Sequence, residues 1–330
     1  MKDLLKKLCA TFGPSGHEEK VRRLIEEELR PHVDELRTDV MGNLYALKRG
    51  KSDATIMLAA HMDQIGFIVI DVDKKGFLRI SPVGGIHRAC ALARRVVFSN
   101  GVTGVIGWET EDVDHRDKSL DKLFVDIGAA DREEALKRVM IGDMAVFAPD
   151  WAELGEDLVA SPALDNRSGC ALLVQTMKNL KDCPNNVVGV FTVQEEVGLR
   201  GARAASYDVA PTVGLALDVT ATGDTPKGEK LPVKLGEGIA IKVMDKSLIT
   251  SPGVVAGLEQ AARSAGVRWQ REVLYFGGTD AAEIQTTHSG VPVGVLSIPC
   301  RYVHSAVEVV SLRDMEEGLK LLATVLGKAE

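Results

Sequence analysis

Four apolar runs of strand length constrain this chain more than any other feature, because each leads into residues able to bind a metal. ATIMLAA (residues 54 to 60) runs into His61 and Asp63, and NVVGVFTV (186 to 193) runs through Gln194 into Glu195 and Glu196. TVGLALDV (212 to 219) carries Asp218 near its end, and VPVGVLSI (291 to 298) leads through Cys300 to His304. Each run is too short for an ordinary helix and reads as a buried strand. Helical stretches separate them. One begins near Asn166, one opens at Ser251-Pro252 and closes at Gly266, and the last runs from Ser311 to Gly327. Such alternation predicts an open α/β sheet, in which ligands bind beyond the carboxyl ends of the strands. A fifth candidate, Asp165 in SPALDNRSG, lies at a loop-to-helix junction.

From about Gly66 to Pro149 the texture changes. Short β-type pieces (FIVIDV, RRVVF, GVTGVIGW, LFVDIG, DMAVFA) follow one another between Gly, Asp and charged turns. One helix, opened by Asp131 with Glu134 three residues on, interrupts them. This spacing predicts a β-rich domain, a small barrel, inserted between strands of the α/β domain. The catalytic domain is then discontinuous, 1–66 and 156–330, with the insert at 67–155. Near the N-terminus, Ser15 followed by Glu18 predicts a capping box for a helix running to about Arg30.

Lys and Arg number 40 against 47 Asp and Glu, a net charge of −7 that counts against nucleic acid or an anionic membrane as the main partner. No apolar run approaches the roughly 18 residues of a membrane helix. The N-terminal stretch lacks a signal-peptide apolar core, so a cytoplasmic location is expected. The five cysteines are scattered and form no CxxC, which argues against a disulfide framework or a cysteine zinc knuckle. They read as buried small apolar residues. His17, His32, His87, His115 and His288 read as surface or structural histidines.

Two histidines with several carboxylates and no thiolate suit zinc, cobalt or manganese. Two ions close together need a bridging carboxylate to offset their repulsion. Asp165 is the natural bridge, because it leads into a helix whose start favours an anion. The spacing of His61 and Asp63 puts both on one side of an extended chain, where Asp63 can orient His61. Adjacent residues on a regular strand point to opposite faces, so Glu195 and Glu196 share a site only where the strand ends or kinks. There, Glu196 could ligate while Glu195 stays free as a base toward a metal-bound water.

The strings AAHMDQIGF, SPALDNRSG, VQEEVGLRGA, ALDVT, FGGTDAAEI and RYVHSAVEVV resemble the tetrahedral (TET) aminopeptidases, a dinuclear metallopeptidase family. They occur in the family's order and span residues 59 to 310. The resemblance implies a zinc-peptidase-like mixed sheet flanked by helices, with an inserted β-barrel or PDZ-like dimerisation domain. It implies five ligands to two divalent ions (Zn2+, Co2+ or Mn2+). Asp165 would bridge, His61 and Asp218 would complete one shell, and Glu196 and His304 the other. Glu195 would be the general base and Asp63 the support of His61. The implied reaction releases N-terminal residues from peptides with a free N-terminus, through a metal-bridged water. The implied assembly is a tetrahedral homododecamer of six dimers enclosing a chamber. Gln64 stands where the family commonly has Glu, and GGIHRACALARRV lacks a Trp-Asp that many relatives carry, which sets the stretch from Ile86 to Arg95 apart.

Three other readings stay open. A related amidohydrolase or deacylase would use the same metals on a blocked amine. An endoglucanase, a label some relatives carry, would need two carboxyls about 5 to 9.5 Å apart across a glycosidic bond. A metal-stabilised scaffold would leave Glu195 without a task. Acidic, basic and apolar N-terminal residues are equally open as the preferred substrate, with loops between Lys227 and Gly290 building the pocket.

Overall fold

Strand Ser52–His61 lies parallel to Asn185–Thr192 on one side and to Val213–Ala221 on the other, and Val213–Ala221 lies parallel to Val293–Arg301. These are the four apolar runs, and their shared direction brings their carboxyl ends to one edge. The structure, a computed structural model, describes residues 1–109 and 120–327. His115 lies outside the described residues.

Around the four central strands the sheet is mixed. Leu44–Lys48 pairs antiparallel with Asn185–Thr192, and Glu35–Thr38 lies beyond it. On the other side follow Glu308–Ser311, Leu158–Ser161 and Ala152–Leu154, while Ile239–Met244 and Trp269–Val273 branch from Val293–Arg301. Among the described residues this makes an eleven-stranded sheet. Its two faces follow from the period of two along each strand. Leu58 and Ala60 pack with Leu172 and Leu173 of helix Leu164–Asn179. Met57 and Ala59 face the opposite layer, with Ala205 of helix Arg200–Val209 and Ile284 of helix Ala281–Thr286. Buried on both faces, the central strands need apolar residues at every position, hence continuous runs rather than alternation.

The insert is a closed barrel of six strands, in the order Gly66–Val72, Leu78–Val83, Leu123–Asp126, Thr103–Trp108, Arg95–Phe98, Met144–Phe147. Its core includes Phe67, Val69, Ile80, Val96, Ile106 and Val125, and Phe67 meets Phe147 edge to face at 5.5 Å. Strand Leu78–Val83 lies outside the pieces read from the sequence, because its alternation covers only the four residues LRIS before Pro82 interrupts it. Helix Arg132–Arg138 starts as expected, with the Asp131 carboxylate accepting the Glu134 N–H at 2.9 Å.

The N-terminal capping box is not formed. Helix Glu19–Leu29 begins at Glu18 without a side-chain cap. Ser15 Oγ donates instead to Asp63 Oδ2 at 2.6 Å, and Glu18 Oε1 accepts the amides of Gly16 and Gln194. Both residues are buried, so each side chain serves the acceptor or donors beside it rather than the exposed helix start. Ser251 likewise stands before Pro252–Ser264 without capping it, because its Oγ accepts the Val293 N–H. Among the described residues no helix is long and apolar enough to cross a membrane.

Candidate metal centre

His61 ends its strand, buried, with Nδ1 turned to Asp63 and Nε2 turned to a cluster of carboxylates. Nδ1 lies 3.2 Å from the Asp63 carbonyl and 3.5 Å from Asp63 Oδ1, which leaves Nε2 free to face outward. That nitrogen is 3.2 Å from Asp165 Oδ1, 3.6 Å from Asp218 Oδ1 and 3.9 Å from Glu195 Oε2. The other half of the cluster centres on His304, whose Nε2 is 3.3 Å from Asp165 Oδ2 and 3.1 Å from Glu196 Oε2. Asp165 therefore offers one oxygen to each histidine.

Strand Asn185–Thr192 ends before the acidic pair, and Gln194 adopts a φ of 55°. Beyond that turn both Glu195 and Glu196 reach the cluster, on opposite halves of it. The Asp63 carboxylate holds the turn by accepting the amides of Glu195 at 3.0 Å and Glu196 at 3.2 Å. Asp165 sits at the mouth of helix Leu164–Asn179, where Asp165 and Asn166 are not yet helical and their peptide bond is cis.

Several residues of the site carried no signal of their own. Glu308, 1% exposed, accepts the amide of Asp165 at 2.9 Å and that of His304 at 2.8 Å, so one carboxylate fixes two residues of the cluster. His304 has a φ of 60°, a conformation uncommon outside glycine, and this hydrogen bond holds it there. Asp280, from the FGGTDAAEI string, accepts from Thr192 Oγ1 at 2.6 Å, and burial helps push its pKa up to about 7. Gly84 and Gly85 of the barrel also approach. A Cβ at Gly85 would stand 3.0 Å from His304 Nδ1, and one at Gly84 would stand 3.2 Å from Glu196 Oε2. The barrel thus contributes backbone to the site's wall.

The residues fit a pair of divalent ions. With metal–ligand bonds of about 2.0–2.2 Å, tetrahedral ligands stand about 3.3–3.6 Å apart, close to the separations around His61 and His304. Glu196 Oε1 is buried and has no hydrogen-bond partner, which is costly unless a cation meets it. The electrostatics agree. Burial opposes charging His304, yet Glu196 and Asp165 outweigh it and push its pKa up to about 12. Burial, joined by Asp218, Glu196 and Asp280 and opposed by His61, holds the Glu195 carboxyl well above the ordinary range. The thiols stay apart: Cys170 Sγ donates to the His61 carbonyl at 3.1 Å, and burial raises its pKa to about 12.

A cavity of about 670 Å³ opens over the cluster. Gly277 and Gly278 line it and also form the turn before helix Ala281–Thr286. A larger cavity, about 960 Å³, lies elsewhere, between Met41, Arg203, Tyr207 and His288, and contains none of the cluster.

The sequence profile of the M42 glutamyl aminopeptidases matches residues 42–321. A relative from Acetivibrio thermocellus is 49% identical over 99% of this chain and 98% of its own. The lysyl aminopeptidase of Pyrococcus furiosus is 36% identical over 98% of this chain and 96% of its own. Among solved structures, the TET1 peptidase of Pyrococcus horikoshii, described as assembling into a tetrahedron or a large octahedral shell, superposes with a TM-score of 0.87 at 35% identity, covering 98% of both chains.

Proposed function

The chain belongs to the M42 glutamyl aminopeptidase family, and on that premise we propose that it is a metal-dependent aminopeptidase that releases N-terminal residues from peptides with a free N-terminus. Aminopeptidase activity follows from the family; the metal chemistry and residue roles are the proposal. His61 and Asp218 would hold one divalent ion, Glu196 and His304 the other, with Asp165 bridging. The observation that carries this reading is the pair of Asp165 oxygens, one facing each histidine at 3.2 and 3.3 Å.

Bound zinc, cobalt or manganese would polarise the scissile carbonyl and lower the pKa of the attacking water. Glu195 takes that water's proton at its carboxylate and passes it to the leaving amine. Asp63 keeps the Nε2 face of His61 toward the cluster and anchors the backbone from which Glu195 projects. The polar cluster sits against a cavity large enough to admit a substrate terminus and partly exclude water.

The barrel, residues 67–155, serves as the dimerisation domain in this reading, and dimers assemble into a tetrahedral dodecamer. Exposed Ile70, Met140 and Ile141, at 54%, 65% and 51%, support a partner on that part of the chain.

The test is hydrolysis of an unblocked peptide and its N-acetylated twin, after chelation and after adding back zinc, cobalt or manganese. Release of N-terminal residues from the free peptide alone, restored by metal, is expected. Cleavage of the blocked peptide would favour a deacylase, and full activity in chelator would remove the metals from the mechanism.

A further inference from the structure

Away from the acidic cluster, the cavity wall includes Val219, Ala221, Leu274, Phe276 and Val303, and among the described residues the one Lys or Arg that lines it is Lys242. Lys242 is 1% exposed and already doubly paired: Nζ lies 3.1 Å from Asp245 Oδ2 and 3.0 Å from Glu272 Oε1. Thr220 Oγ1, also on the wall, donates to the same Glu272 oxygen at 2.8 Å. An acidic substrate side chain would enter an apolar pocket whose ammonium is already flanked by two carboxylates, which repel it. A basic one would fare no better. Among the described residues, every carboxylate lining the cavity (Asp165, Glu195, Glu196, Asp218) belongs to the proposed metal and base set, and Asp245 and Glu272 do not line it. A charge placed there loses its water without gaining a partner, whereas an apolar side chain gains from burial.

We infer that this chain selects substrates with an apolar N-terminal residue, of the leucine, methionine or phenylalanine class, rather than the acidic residue its family name suggests. The inference rests on the aminopeptidase reading and specifies its substrate class. Lys242 acts as a neutralised wall post, and Phe276, 38% exposed, lines the pocket as its one phenyl ring among the described residues.

The experiment uses the whole chain reconstituted with Co2+ and the unblocked p-nitroanilides of Leu, Phe, Ala, Glu and Lys. Expected is a kcat/KM for the Leu and Phe substrates at least about 10-fold above Glu and Lys. Calorimetry with the free amino acids as products is expected to rank leucine and phenylalanine tighter than glutamate and lysine. Ala221→Asp places a carboxylate on the wall and is expected to raise the Lys-to-Leu ratio by about 10-fold. Phe276→Ala, at a position whose exposure tolerates truncation, lowers kcat/KM more for the Phe than for the Ala substrate. Hydrolysis with Glu or Lys preferred, or tighter binding of glutamate or lysine, overturns the specificity while leaving the aminopeptidase intact. No hydrolysis of any of the five after reconstitution overturns both.

Discussion

Asp63 Oδ1 accepts the backbone amide of Glu195 at 3.0 Å, so the residue two places after His61 also holds the turn that carries the acidic pair. Its carboxylate accepts the amides of two further cluster residues and lies 3.5 Å from His61 Nδ1, beside the Asp63 carbonyl at 3.2 Å. Partners of this kind typically change metal affinity or activity 10–100-fold when lost, on the order of other carboxylate–histidine supports. Asp63→Asn turns an NH2 toward one of those amides and is expected to weaken cobalt or zinc affinity by about 10–100-fold with the fold retained. Competition against a chromogenic chelator measures this. Unchanged affinity would mean the ring and turn are held by packing alone.

Glu308 presents its two oxygens to two amides, those of Asp165 and His304. Glu308→Gln can satisfy only one of them and buries a mismatched donor, at about 1–3 kcal/mol. The expected outcome is a drop in metal content toward one ion per chain, together with a lower urea midpoint. Elemental analysis of the dialysed protein reads the first, and two ions retained at unchanged stability would rule out this role.

The central strands were legible because a parallel sheet covered on both faces demands unbroken apolar runs, as ATIMLAA and VPVGVLSI show. The turn at Gln194 could be reasoned from the pleat: two adjacent acids share one site only past a strand end. The supports were not legible. Glu308 lies 143 positions from Asp165, and Ser15 lies 48 from Asp63, and local spacing says nothing about such pairs. The Ser15–Glu18 spacing even pointed the wrong way, since a capping box and a buried acceptor compete for the same hydroxyl. The Lys242–Glu272 pair likewise forms only because strands Ile239–Met244 and Trp269–Val273 pair in parallel.

Burial, and then the nearby Asp63 carboxylate, raises the Glu18 pKa from 4.5 to about 7. A carboxyl raised on folding favours the folded state in its protonated form. Its contribution is complete below pH 4.5 and is lost as pH rises through about 7. Glu18→Gln keeps an oxygen for the Gly16 and Gln194 amides without the charge. In chelator, its Tm is expected to exceed that of the wild type at pH 8 and to approach it at pH 5. A Tm difference that does not vary with pH would contradict the buried-carboxyl explanation.

The proposed chemistry turns on Glu195, which reaches the cluster 3.9 Å from His61 Nε2 yet is left outside the proposed ligand set as the free base. The most direct measurement is the turnover and metal content of Glu195→Gln on an unblocked peptide, side by side with the wild type. Two ions per chain retained, with kcat lower by about a hundredfold to ten-thousandfold, is the expected result. Turnover near the wild-type level would show that the proton moves by another route, and loss of an ion would make Glu195 a ligand rather than the base.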